Sequence, residues 1–266
     1  MRHLTPLAFA ILGFVSPSRS TSSHEDAHEA RTIQGGGGAF YGPSGLPECG
    51  DMKQFELPDS WLLTGACALI RQNARKFTQH FIVTDYADKE QKVAQQARVL
   101  LTDMVGKPFD IGVSFDTATK TQLVPADHPW WSGAMRIGVH QMFLDGGKVE
   151  GANHDHLLPA TGTRGLEYLT GMAGEETPTK GLSRDAFIDI LKKAADTPII
   201  LATDATTKKV LRLEHAYTVM DYKDEKTVSI WDPETSVNEE HTVDDLIADA
   251  ISFEHLAGFY NWGKGP

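Results

Sequence analysis

Basic residues are scarce in this chain, with 25 lysines and arginines against 36 acids and a formal net charge of −11 at pH 7. Phosphate binding needs a clustered basic surface, and no lysine or arginine stripe occurs, which argues against a nucleic-acid partner. Cysteine is scarcer still: only Cys49 and Cys67 occur in 266 residues. Two thiols are too few for a disulfide scaffold, and no CxxC or Cys/His zinc spacing is present. Their separation leaves open whether they pair. No apolar run reaches the roughly 20 residues that cross a bilayer as a helix. No internal repeat is visible. The four glycines 35–38 neither follow a strand nor precede a Lys-Ser pair, which argues against a phosphate loop.

Hydrophobic content is 41% and charged content 23%, as in soluble globular proteins. The length suffices for one large domain or two lobes around a cleft. "MRHLTPLAFAILGFVSPSRS" has a basic start, an apolar run from Leu4 to Val15 and a small-residue segment. That is the layout of a secretory signal peptide over residues 1–20, and it predicts secretion. Residues 21–44 are polar and then glycine-rich, and read as a flexible leader into a domain over 45–262.

Apolar Leu62, Leu63, Ala66, Leu69 and Ile70 recur at helical spacing from Ser60 to about Asn73, with Pro58 and Asp59 as first-turn and capping residues. Cys67 reads as a core residue of that helix. A second helix is predicted from Trp130, and a third from Ser183, capped by that serine and buried through Ala186, Ile188, Leu191 and Ala194. Residues 97–115 read as two strands about the turn "GKP". "TPIILAT", "KKVLRLEHAYTVMDY" and "KTVSIWD" are short and β-branched. Helices first and antiparallel strands later predict an α+β fold, with a helical lobe over about 45–165 and a β lobe over about 166–262.

Two strands carry the first candidate chemistry. If the chain turns about Lys223 and Asp224, His215 and Asp232 come out opposite or nearly opposite each other. Such a pair fixes the tautomer of an imidazole. It is equally the pattern of a structural His–Asp pair. Ser60, at a helix N-terminus, is by itself a capping residue. "NHDH" at 153–156 offers metal-type side chains, in the pattern of a solvated loop.

Taken together, the segments resemble the protease core of the calpain family, papain-like cysteine endopeptidases. The family's nucleophile segment is glutamine, five residues ending in Gly-Asp, then Cys-Trp and an apolar helix. Here Gln54 is followed by "FELPD" and "SWLLTGACALI". "HAYTV" at 215–219 resembles Gly-His-Ala-Tyr-Ser-Val, and "IWDPE" resembles Arg-Asn-Pro-Trp. "HPWWSGAMRIGVHQMF", "GLEYLTGM" and "AISFEHLAGFY" resemble further family segments in the same order. The resemblance covers about residues 45–260. It implies a two-lobed papain-like fold and hydrolysis of peptide bonds in a protein or peptide substrate. Ser60 takes the nucleophile position, His215 the base, Asp232 its orienting partner, and Gln54 with the Ser60 N–H the oxyanion hole. Most calpain-like proteins are cytoplasmic, which sets an alternative to secretion. Oligomeric state is not legible.

Four departures accompany it. Ser60 replaces cysteine, Pro58 replaces glycine, and Glu234 replaces a tryptophan that shields the family's histidine–asparagine pair. The fourth concerns calcium, the only cofactor the resemblance brings. Asp51 matches a family calcium ligand, but its partner's position holds Arg136. An Asp51–Arg136 salt bridge in place of the metal is therefore expected. These departures leave three readings: an endopeptidase weak or inactive as written, a pseudopeptidase that binds a protein or peptide in the old cleft, and an α+β domain with a structural His–Asp pair.

Overall fold

The apolar run after Pro58 forms helix α1 (Ser60–Phe77). Leu62, Leu63, Ala66, Leu69 and Ile70 are buried as expected, but so are Trp61, Thr64, Gly65, Cys67 and Ala68 between them. The first three turns are wrapped on every side, as a central helix is, rather than half-exposed. Regular backbone breaks at Asn73 (φ −164°, ψ 89°), where the periodicity ends.

The computed structural model describes residues 36–55, 57–120, 124, 128–150, 152, 157–207, 210–224 and 226–265. The expected signal peptide, most of the expected leader and "NHDH" lie outside the described residues. No helix among the described residues is long and apolar enough to cross a membrane.

The fold is α+β. Strands β1 (Gly38–Ala39), β2 (Phe81–Asp88), β3 (Val93–Thr102) and β4 (Pro108–Ser114) form an antiparallel sheet centred on β3. The two strands expected about "GKP" are β3 and β4. The expected order of helices first and strands later needs correction, since this sheet lies in the first half of the chain. β2 lacks a clean polar–apolar alternation, since Phe81–Val83 run together and Thr84 and Asp85 are adjacent, so no period of two marks it. The leader is corrected too. Phe40 is buried, and Ala39 and Phe40 carbonyls accept from the Trp130 and Trp131 N–H groups. A Cβ on Gly38 would lie 2.4 Å from the Phe115 ring, so part of the glycine run is a close approach and not a tether.

Helices α2 (Phe115–Lys120), α3 (Trp131–Leu144) and α4 (Gly162–Thr170) follow. The second half holds β5 (Gly174–Pro178), α5 (Arg184–Lys193), β6 (Ile199–Ala202), β7 (Ala216–Tyr222), β8 (Thr227–Asp232), β9 (Val237–Thr242), α6 (Val243–Asp249) and β10 (Ser252–Leu256). Ser183 caps α5 as predicted, accepting from Ala186 N–H at 3.2 Å. The six strands make one antiparallel sheet in the order β5-β10-β6-β7-β8-β9.

Both faces of this sheet are covered, which is why Ile199–Ala202 is continuously apolar. Ile199 and Leu201 join a core with α5 and α6. Ile200, between them, joins the larger core around α1, α3 and α4. α1 is tied to this sheet by the Thr218 hydroxyl, which donates to the Thr64 carbonyl at 2.9 Å. Its second residue, Trp61, donates from Nε1 to Leu158 O at 2.9 Å. A Cβ on Gly165 of α4 would come 2.5 Å from Trp61 O, so α1 and α4 cross backbone to backbone. These ties aim the first turn of α1 at the ends of β6 and β7.

Candidate active site

The hairpin β7–β8 turns through residues 223–226, with Asp224 Oδ1 accepting from the Lys226 and Thr227 N–H groups. Thr218 pairs with Trp231. Continuing that register sets Asp232 across from Tyr217, two residues from His215: a diagonal rather than direct pair. The side chains still meet. His215 Nε2 lies 3.0 Å from Asp232 Oδ1, and both are buried.

Asp232 has further partners. Its Oδ1 accepts from Glu234 N–H at 2.8 Å, and its Oδ2 from Arg212 Nε–H at 3.1 Å. Arg212 also reaches Glu234, Nη1 to Oε2 at 2.9 Å. Asp232 and Glu234 thus share one cation. The loop before His215 is fixed by backbone ties. Thr203 Oγ1 donates to Arg212 O at 2.6 Å and accepts from His215 N–H at 3.0 Å. Tyr217 Oη accepts from Arg212 N–H at 2.7 Å. Asp249 Oδ2 accepts from Val210 and Leu211 N–H. No sequence signal names Arg212 in advance, because its partners lie 20 and 22 positions away, at the end of β8 and in the turn after it.

Burial by itself would raise the Asp232 carboxyl, but hydrogen bonds from His215, Glu234 N–H and Arg212 outweigh it and hold the group below the ordinary carboxylate range. A depressed carboxyl stabilises the fold above its unfolded value, and that stability is lost as pH falls through the folded value. The other groups facing it are Glu234 and Tyr217, and neither supplies positive charge. Arg212→Met should therefore move the Asp232 titration to higher pH, followed by carboxyl carbon NMR, and Arg212→Lys should move it less. An unmoved titration would remove Arg212 from this network.

Ser60 opens α1. It lines one cavity of about 260 Å³ together with His215, so the structure brings the first and last thirds of the chain to one place. No hydrogen bond to the Ser60 hydroxyl occurs among the described residues, and its N–H, as the first of a helix, has no intrahelical partner. Gln54 is elsewhere. Its backbone N–H donates to Pro233 O at 2.6 Å, which docks the loop beside Asp232. Its side-chain Nε2 donates to Leu57 O at 2.6 Å, and the residue does not line the cavity.

The expected Asp51–Arg136 salt bridge does not form. Arg136 pairs with Asp59, the residue before Ser60: Nε lies 2.7 Å from Oδ2, both side chains fully buried. Nη2 also donates to Lys53 O at 2.7 Å. Asp51 Oδ2 instead accepts from Trp131 Nε1–H at 2.8 Å and from Glu48 N–H at 2.9 Å. The reason is position. Arg136 projects from the middle of α3 onto the 53–59 loop, whereas Trp131, one turn earlier, reaches Asp51. Asp59 is no side-chain cap, since its carboxylate is spent on Arg136. This donor set does not fit calcium: the one matched acid is already taken by two N–H donors. Among the described residues no group of three His, Cys, Asp or Glu could hold a metal.

Cys49 and Cys67 form a disulfide. It closes the segment that contains Gln54, Asp59 and Ser60, and fixes it to the buried face of α1.

No family model matches the chain, and no curated protein matches it either.

Proposed function

We propose that the chain is a calpain-like endopeptidase domain of papain-like two-lobed fold, with Ser60 at the nucleophile position and weak or no turnover as written. One observation carries this reading: Ser60 at a helix N-terminus and His215, hydrogen-bonded to Asp232, line one cavity. With Asp232 ionised, Nε2 of His215 carries the proton and Nδ1 is left as the basic nitrogen. Nδ1 takes the proton of the residue-60 nucleophile as it attacks the peptide carbonyl, then gives it to the leaving amine. The Ser60 N–H and the positive end of α1 stabilise the oxyanion. Water then cleaves the acyl ester by the reverse use of His215.

The helix N-terminus lowers the pKa of a thiol far more usefully than that of a hydroxyl, which remains dependent on a base in the transition state. That is the reason for weak turnover. A second reading, a pseudopeptidase that holds a peptide or protein partner in the cleft, is favoured by Gln54. Its amide hydrogen-bonds Leu57 and offers no oxyanion donor. Neither reading assigns calcium a role. Secretion fits the N-terminal segment, with the cytoplasm as the alternative.

The test uses Ser60→Cys. Both native cysteines are in the disulfide, so the introduced thiol is the single free one. It should react with iodoacetamide at pH 6 at least about ten-fold faster than a free cysteine, and His215→Ala should remove most of the excess, leaving only the part due to the helix N-terminus. A rate equal to free cysteine would contradict the proposal.

A further inference from the structure

The cavity shared by Ser60 and His215 is charged with one sign. Glu176, Asp204, Glu214 and Glu254 line it, and among the described residues no lysine or arginine does. Glu254 on β10 lies directly across from Glu176 on β5. Like charges placed directly opposite repel, and an antiparallel pair rarely keeps them without a counter-charge. Glu254 is 3% exposed. Its Oε2 accepts from Gly162 N–H, the start of α4, at 2.6 Å. That fixes the carboxylate but supplies only a partial positive charge. Burial pushes its carboxyl up to about 7, opposed by the Gly162 N–H and reinforced by Glu176.

A separate observation points to a ligand. Ser252 lies two residues before Glu254, on the same face of β10, and lines the same cavity. It is 1% exposed, and its hydroxyl has no hydrogen-bond partner among the described residues. A buried hydroxyl left unpaired is costly, and native proteins seldom leave one without a use.

We propose that this cavity receives a cationic side chain, arginine or lysine, of a bound peptide. Its place beside the scissile bond rests on the peptidase reading above; the recognition of the cation does not. A guanidinium has five donors in a rigid fork, enough to reach Glu254, Glu176 and the Ser252 hydroxyl together. The carboxylate of Glu254 is then ionised and paired, and the repulsion across β10 and β5 is relieved.

The experiment is calorimetric titration of the native chain with N-acetyl-Ala-Arg-Ala-amide and with the same peptide carrying citrulline, a neutral near-isostere. At pH 8 the arginine peptide should bind about ten-fold more tightly. The gap should narrow at pH 5.5, where Glu254 is protonated. Glu176→Gln and Glu214→Gln, at exposed positions that leave the fold alone, should each narrow it at pH 8. Equal affinities at pH 8, no binding of either peptide, or a gap untouched by both variants would overturn the proposal. The two readings fail separately. Arginine-selective binding by a Ser60→Cys chain that cuts nothing would sink the peptidase and leave this subsite. Cleavage without preference for basic residues would do the reverse.

Discussion

Arg136→Met should cost about 3–5 kcal/mol of stability, the usual penalty for stranding one partner of a buried ion pair. Asp59 and Arg136 are both fully buried, and water cannot replace the lost cation. Burial already pushes the Asp59 carboxyl above its ordinary range, against the pull of Arg136. Without that pull the folded state holds a proton on Asp59 over a wider pH range than the unfolded state does. Stability of the variant then falls as pH rises, so its deficit relative to the native chain should be largest near neutrality and shrink toward pH 4. Asp59→Asn added to Arg136→Met should recover much of the loss, because no charge remains unpaired. Urea unfolding at several pH values checks both statements. A deficit under 1 kcal/mol, or one independent of pH, would mean that water reaches the pair. The effect has a local side. Arg136 also holds Lys53 O, so it clamps both ends of the loop that delivers Ser60.

The same residues show what the sequence can disclose. Helical periodicity exposed α5 and also α1, where the apolar spacing was real although burial extends all round its first three turns. Apolar or β-branched runs punctuated by turns exposed β3, β4 and the β7–β8 hairpin. His215 and Asp232 were legible as a pair because a hairpin with a short turn nearly determines its register. Arg136 was legible as unusual, a cation where an acid was expected, but not its partner. Asp51 and Asp59 are both near in sequence, and the choice depends on one helical turn of α3. The β2 strand was hidden by its lack of alternation, and the true start of the domain by its glycine composition. Glu254 and Ser252 were hidden for another reason. Their environment is made by α4 and β5, whose approach to β10 no local pattern encodes.

Ser60→Cys should raise hydrolysis of an unstructured protein substrate by roughly 10²-fold or more over the serine chain. The site offers what a thiolate uses: a helix N-terminus and an oriented imidazole on one open cavity. A hydroxyl gains little from the first of these and leans wholly on the base. The gain should be the same with calcium or with a chelator, since Asp51 is occupied by Trp131 and Glu48. Calcium-dependent cleavage would show that Asp51 is released from those partners. If the cysteine and serine chains are equally inert, the pseudopeptidase reading stands in place of the enzyme.

The most direct measurement compares the initial cleavage rate of Ser60→Cys with that of Ser60→Cys/His215→Ala on one unstructured substrate, with folding of both verified by circular dichroism. Measurable cleavage is expected from the first and a loss of about 10²–10⁴-fold in the second, the range a positioned general base contributes. Equal rates in the two, or no cleavage by either, would contradict a peptidase site built from residue 60, His215 and Asp232.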